Sequence, residues 1–180
     1  MIIALAGRRI DKADSKDPRF PSRNVERVAG ALRGLLVERG ATIIVSSAAC
    51  GADLVALKEA GKLGLRRKII LPFDRATFRQ SSVVDRPGDW GSIYDEVLDE
   101  VDAAGDLITL SRVGNVDPYS TTSERILDEA VGLARQLEEP AGAVMMWDGT
   151  IGEKPDYTAD FGVSARQRGL PIFEVRTVRM

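Results

Sequence analysis

The chain has 180 residues, 44% hydrophobic and 29% charged, a balance that excludes disorder and a length that suits one domain with a sizeable core. Its net charge of −2 sets up no overall field toward nucleic acid or anionic membrane, although a local basic patch stays open. With no histidine and with Cys50 as the single cysteine, Ser–His–Asp and Cys–His machinery, histidine metal sites, thiolate clusters and intrachain disulfides are excluded.

Short β-rich runs alternate with longer amphipathic stretches. Ile2 to Ala6 is a continuous apolar strand, as in a sheet buried on both faces. A polar loop over 11–22 precedes a helix carrying Val25, Val28, Ala29, Leu32, Leu35 and Leu36, stopped by Gly40. Ala41 to Val45 is a second strand, and a helix from Gly51 carries Leu54, Val55, Leu57 and Ala60. Lys68 to Leu71 is a third strand. The segment 73–91 reads as a loop with a short helix, and Trp90, Ile93, Tyr94, Val97, Leu98 and Val101 form the next apolar stripe.

Leu107 to Leu110 is a fourth strand. After a loop to Tyr119 comes a helix with Ile126, Leu127, Ala130, Leu133, Ala134 and Leu137, whose start is set by a capping-box spacing of Thr121 and Glu124. Ala143 to Trp147 is the fifth strand, Tyr157 to Arg168 the last helix and Pro171 to Val175 the sixth strand. No apolar run nears the ~18 residues of a membrane span. Met1 to Gly7 is too short for a signal peptide and lacks a charged leader, so a reducing, cytoplasmic location is expected.

Alternating strands and helices imply a mostly parallel sheet of about six strands with helices on both faces, formed by residues 1–180 as one domain. Ligands of such sheets bind at the carboxyl ends of the strands, where strand order reverses. A 3-2-1-4-5-6 order would bring the turns after strands one, two, four and five to one crevice.

After strand one stand Gly7, Arg8 and Arg9: a tight turn and two guanidinium forks suited to phosphate, or more plainly a solvated basic turn. After strand two, Ser46, Ser47, Ala48, Ala49, Cys50 and Gly51 run into a helix start, whose backbone donors and dipole favour an anion. Asp53 in that first turn would accept from ribose hydroxyls or from the loop's own N–H groups. Cys50 reads as an inert small residue. Arg79, Ser81 and Ser82 are placed to reach over a phosphate, or else belong to an ordinary surface loop. After strand five, Trp147, Asp148 and Gly149 lead to Asp156, Thr158 and Asp160 at the last helix. Asp156 or Thr158 would cap that helix, and Trp147 would stack on a base or plug the core. Together these residues outline a pocket for a nucleotide's phosphate and ribose.

The run Ser46-Ser47-Ala48-Ala49-Cys50-Gly51-Ala52-Asp53 followed by Leu71-Pro72-Phe73 resembles the signature of the SLOG superfamily, Rossmann-like proteins that include DNA-processing protein A and the LOG phosphoribohydrolases. Trp147-Asp148-Gly149 followed by Thr158-Ala159-Asp160 resembles a later segment of its nucleotide-sensor branch. The resemblance covers about residues 2–176. It implies an α/β, Rossmann-like three-layer sandwich that binds a nucleotide or nucleotide-derived ligand, with neither cofactor nor metal, and that forms a homo-oligomer and signals to an effector partner.

Two departures matter. Phe161 stands where the hydrolases carry their catalytic glutamate, and Asp156-Tyr157 stand where glycines would precede the threonine. A sensor-type binding protein is therefore the expectation. A nucleotide N-glycosidase is the alternative, with Asp160 or Asp53 as its acid or base and Arg8 or Arg79 on the phosphate. A single-stranded DNA binder is the third reading, opposed by the acidic balance and an aromatic content of 6%.

Overall fold

The computed structural model describes residues 1–111, 116–153 and 155–178. The strands are β1 (Ile2–Gly7), β2 (Ile43–Ser46), β3 (Arg66–Leu71), β4 (Leu107–Thr109), β5 (Ala141–Trp147) and β6 (Ile172–Arg176). The helices are α1 (Val25–Glu38), α2 (Ala52–Lys62), α3 (Arg75–Ser82), α4 (Trp90–Ala103), α5 (Pro118–Leu137) and α6 (Tyr157–Gln167). The strands form one sheet in which every described pairing is parallel. This is the Rossmann-like α/β architecture expected from the sequence.

Alternation along each strand divides the core into two layers. Ile3, Leu5, Ile44, Ile69, Leu71, Val144 and Met146 face α1, α2 and α4. Ile2, Ala4, Ile43, Val45, Ile70, Ala143 and Met145 face α5 and α6. Both sides of β1, β2, β5 and the second half of β3 are thus buried, which explains their apolar sequences.

The strand order is β4-β3-β2-β1-β5-β6, not 3-2-1-4-5-6. Three strands, β2, β3 and β4, are laid outward from β1 before the chain returns to its other side. From β4 to β5 is four strand spacings, roughly 19 Å. The connecting α5 has 20 residues, about 30 Å of helix, and it packs across β3, β2, β1 and β5. A sequence pattern fixes the elements but not how far a crossover reaches. The reversal therefore lies between β1 and β5, and the turn after β4 leaves from the sheet's edge. Part of that turn, residues 112–115, lies outside the described residues.

The start of α5 also differs from expectation. Pro118 takes the first helical position and Asp117 is the cap, accepting from Ser120 N at 3.0 Å. Thr121 and Glu124 lie within the helix. Thr121 donates back to Asp117 O, and Glu124 accepts from Ser164 and Arg168 of the α6 region.

Candidate functional site

The ends of β1 and β2 meet α2 at very close range. At Gly7 a Cβ would fall 2.4 Å from Ala52 Cβ. Gly51 has φ +98°, and a Cβ there would lie 2.6 Å from Ile10 N. The two segments are joined by Ala52 N donating to Arg8 O at 3.0 Å and by a bridge between Arg9 and Gly51. Both glycines are required by backbone approach.

Above this junction lies a cleft of about 290 Å³. Its floor is Leu5, Ala6 and Gly7, with Ile126 and Phe78, and its polar lining includes Ser47, Ser82, Thr122, Ser123 and Thr158. Tyr119 and Tyr157 form one wall, and Arg9 and Asp53 are its charged members among the described lining residues. Three helices begin at its rim: α2 beside Ala49 and Asp53, α5 at Tyr119 and Thr122, and α6 at Tyr157 and Thr158.

Asp53 is buried and accepts from Ala49 N at 3.2 Å, the support for the loop that was one of its two expected roles. Burial pushes its carboxyl up from 3.8 to about 7, against the opposing pull of the Ala49 N–H, the Arg9 charge and the Ser46 hydroxyl. Arg9 pairs with Asp85 and reaches Cys50 Sγ at 3.5 Å, while its Nε is buried without a partner. Burial raises the Cys50 thiol above its ordinary range, the environment of an inert thiol.

The other arginines serve the protein itself. Arg8 is buried, donating through Nε to Asp148 at 2.8 Å, through Nη1 and Nη2 to Asp156, and through Nη2 to Thr150 O at 2.7 Å. Arg19 adds a second contact to Asp148 at 3.1 Å. Asp156 also caps α6 through Ala159 N at 3.1 Å and accepts from Gly152 N. Burial opposes its ionisation, yet Arg8 and these two amides hold its carboxyl well below the usual carboxylate range. Trp147 lies outside the cleft between Arg8 and Arg176, whose guanidinium carbons are 5.8 and 5.6 Å from its ring centroid.

Of the residues expected at a ligand site, Gly7, Arg9, Ser47, Asp53, Ser82 and Thr158 line the cleft. Ser46 is buried at the end of β2, its hydroxyl making no hydrogen bond of good geometry, and Ala48 is in the core. Gly51 lies beneath the cleft in the junction with β1. Arg79 pairs with Asp95 at 3.0 Å, and Ser81 lies beside the cleft, 3.2 Å from Ser82 Oγ. Asp148 belongs to the Arg8 cluster, and Gly149, at φ +89°, lies against Arg176. Asp160 lines a separate depression of about 70 Å³ between α5 and α6. Phe161, which the motif resemblance sets where the hydrolases carry a glutamate, is 1% exposed and packed in the core.

Tyr119, Thr122, Ser123 and Ile126 were missed as lining residues. Their spacing of i, i+3, i+4 and i+7 is one face of a helix, and Asp117-Pro118 was the signal that this helix begins early enough to include Tyr119. Among the described residues no helix is long and apolar enough to cross a membrane, and no group of three or more Cys, Asp or Glu side chains could hold a metal ion.

No family model and no curated protein matches the chain. Among solved structures it is similar to DNA processing protein A (DprA) from Streptococcus pneumoniae, at 16% identity and a TM-score of 0.38, over 95% of this chain and 57% of that one. It is also similar to the Moco carrier protein from Chlamydomonas reinhardtii, at 15% identity and a TM-score of 0.33, over 96% and 87% of the two chains. This chain thus spans 57% of the length of the DNA processing protein. Neither similarity bears on what this chain binds.

Two stability predictions follow from the electrostatics. Asp156→Asn removes one partner of a buried guanidinium and should cost about 3 kcal/mol in urea unfolding at neutral pH. Arg79→Met, which breaks a part-exposed pair, should cost less than about 1 kcal/mol. Equal losses would contradict the structural role assigned to the Arg8 cluster. The Asp53 carboxyl holds its proton more tightly in the folded chain, so its contribution is full below pH 3.8 and is lost as pH rises through about 7. Asp53→Asn should therefore be more stable than the parent chain at pH 8, with the difference fading toward pH 4. A difference independent of pH would refute the burial of an ionisable carboxyl there.

Proposed function

We propose that the chain is a sensor-type binding protein for a nucleotide or nucleotide-derived ligand, held in the cleft at the carboxyl ends of β1 and β2. The observation that carries this reading is the convergence of three helix N-termini on one cleft that also holds hydroxyls, a guanidinium and two aromatic rings. Helix starts favour anions through first-turn N–H groups and an aligned dipole, although Ser120 N of α5, Ala159 N of α6 and Ala52 N of α2 already have partners within the protein. The hydroxyls suit a sugar, and the aromatic wall with its apolar floor suits a base. Strand ends are where doubly wound sheets place their ligands. In this reading the protein is a homo-oligomer that passes occupancy of the cleft to an effector protein.

One observation favours a second reading, a nucleotide N-glycosidase. Asp53, titrating near neutral pH in the cleft, has the protonation behaviour wanted of a general acid or base. Asp160 lines an adjoining depression that shares Ser123 and Tyr157 with the cleft. A chromatographic assay for free base separates the two, since a sensor releases none. A single-stranded DNA site wants a basic groove with successive stacking rings, and Arg9 is the one cation among the described lining residues.

Isothermal titration against mono-, di- and cyclic nucleotides and NAD derivatives tests the proposal. At least one compound should bind, and Arg9→Met should weaken it about tenfold or more, the worth of a charge-assisted hydrogen bond. A panel with no binder would overturn the reading.

A further inference from the structure

The wall of the cleft carries more order than a generic pocket lining needs. Tyr119 and Tyr157 come from the first turns of α5 and α6, with ring centroids 5.5 Å apart and planes at 40°. Each ring is half-buried and tethered at its far end. The Tyr119 hydroxyl is 3.2 Å from Ser82 Oγ, and Phe73 packs edge-on against its ring at 5.7 Å and 89°. The Tyr157 hydroxyl donates to Asp117 Oδ1 at 3.4 Å, and Asp117 itself caps α5. One carboxylate therefore fixes both the helix that carries Tyr119 and the ring of Tyr157. Tyrosines held in this way lose little rotamer freedom on meeting a ligand, which makes their contact area efficient.

Tyr157 is also a departure from the resembled family, in which glycine would precede the threonine and leave bare backbone at this point. Here a ring occupies the wall beside the start of α6. We propose that Tyr119 and Tyr157 together form a preset shelf that takes the planar ring of the ligand, so that the cleft selects ligands by their aromatic ring, while the helix starts and Arg9 take the phosphate. This inference rests on the nucleotide reading of the cleft and deepens it by naming the residues that recognise the ring.

The test compares ligands with and without a base. Nucleoside 5′-monophosphates of all four bases and ribose 5-phosphate are titrated into the full chain and into Tyr119→Leu, Tyr157→Leu, Tyr119→Phe and Tyr157→Phe. Stacking on an aromatic side chain corresponds to at least about a fivefold change in affinity. In the parent chain the best monophosphate should exceed ribose 5-phosphate by at least that factor. Each leucine variant should lower the monophosphate's affinity toward that of ribose 5-phosphate and leave ribose 5-phosphate unchanged. The phenylalanine variants, which keep the rings, should retain most of the difference, and they stand as the test if a leucine variant fails to fold. Equal loss for both ligand types, or no loss in the leucine variants, would overturn the shelf while leaving the nucleotide reading in place, as would phenylalanine variants that erase the difference. Binding of neither monophosphate nor ribose 5-phosphate would overturn the shelf, and the nucleotide reading falls with it when the di- and cyclic nucleotides and NAD derivatives also fail to bind.

Discussion

The buried guanidinium of Arg8 is the interaction on which the site's architecture depends. It leaves the end of β1, binds Asp148 beyond β5, and binds Asp156 at the cap of α6. A charge this deep is tolerated only when its donors are met by carboxylates, and removing one partner leaves an uncompensated ion. The consequence is positional: α6 must begin where Asp156 can reach Arg8, and this sets Tyr157 and Thr158 on the rim of the cleft. Arg8, which in sequence tempts a phosphate-binding interpretation, therefore builds the support behind the cleft.

Two arginines in one turn thus have different fates. Arg8 belongs to the face that joins β1 to β5, and its hydrogen-bonding edge is consumed by neighbours. Arg9 turns to the cleft, with Asp85 and Cys50 beside it. The other charge in the cleft is Asp53, whose burial makes its ionisation responsive to pH near neutrality. The cleft is thus close to electrically balanced among its described side chains, and in the proposed reading an anion would be drawn by the helix starts rather than by a field of arginines.

Much of the fold was legible because each element carries its own period. Ile2 to Ala6 could only be a strand buried on both sides, and the apolar stripes of α1, α4 and α5 named their core faces. Strand order was not legible, since β4 and β5 are joined by a helix whose reach depends on three-dimensional packing. The glycines of the β1 and β2 turns were visible in sequence, but their reason was not: Gly7 and Gly51 admit neighbouring backbone and Ala52. At the site, Gly7, Arg9, Ser47, Asp53 and Thr158 could be found from strand-end position alone. Tyr119, Thr122 and Ser123 could not, because a polar Thr121–Glu124 spacing imitated a helix cap four residues beyond Asp117. Nor could the fate of Arg8 or Arg79 be told, because a free guanidinium and a paired one have the same letter.

The account's central claim is that one cleft, bounded by β1, β2 and the first turns of α2, α5 and α6, is the ligand site. Backbone amide chemical shifts recorded during titration with nucleoside monophosphates test it most directly. The account predicts perturbations concentrated at Gly7, Ser47, Ala49, Ser123 and Thr158. Perturbations centred instead on the neighbouring cavity lined by Lys12, Asp14, Arg19 and Arg86, which shares only Arg9 with the cleft, or no saturable perturbation at all, would contradict it.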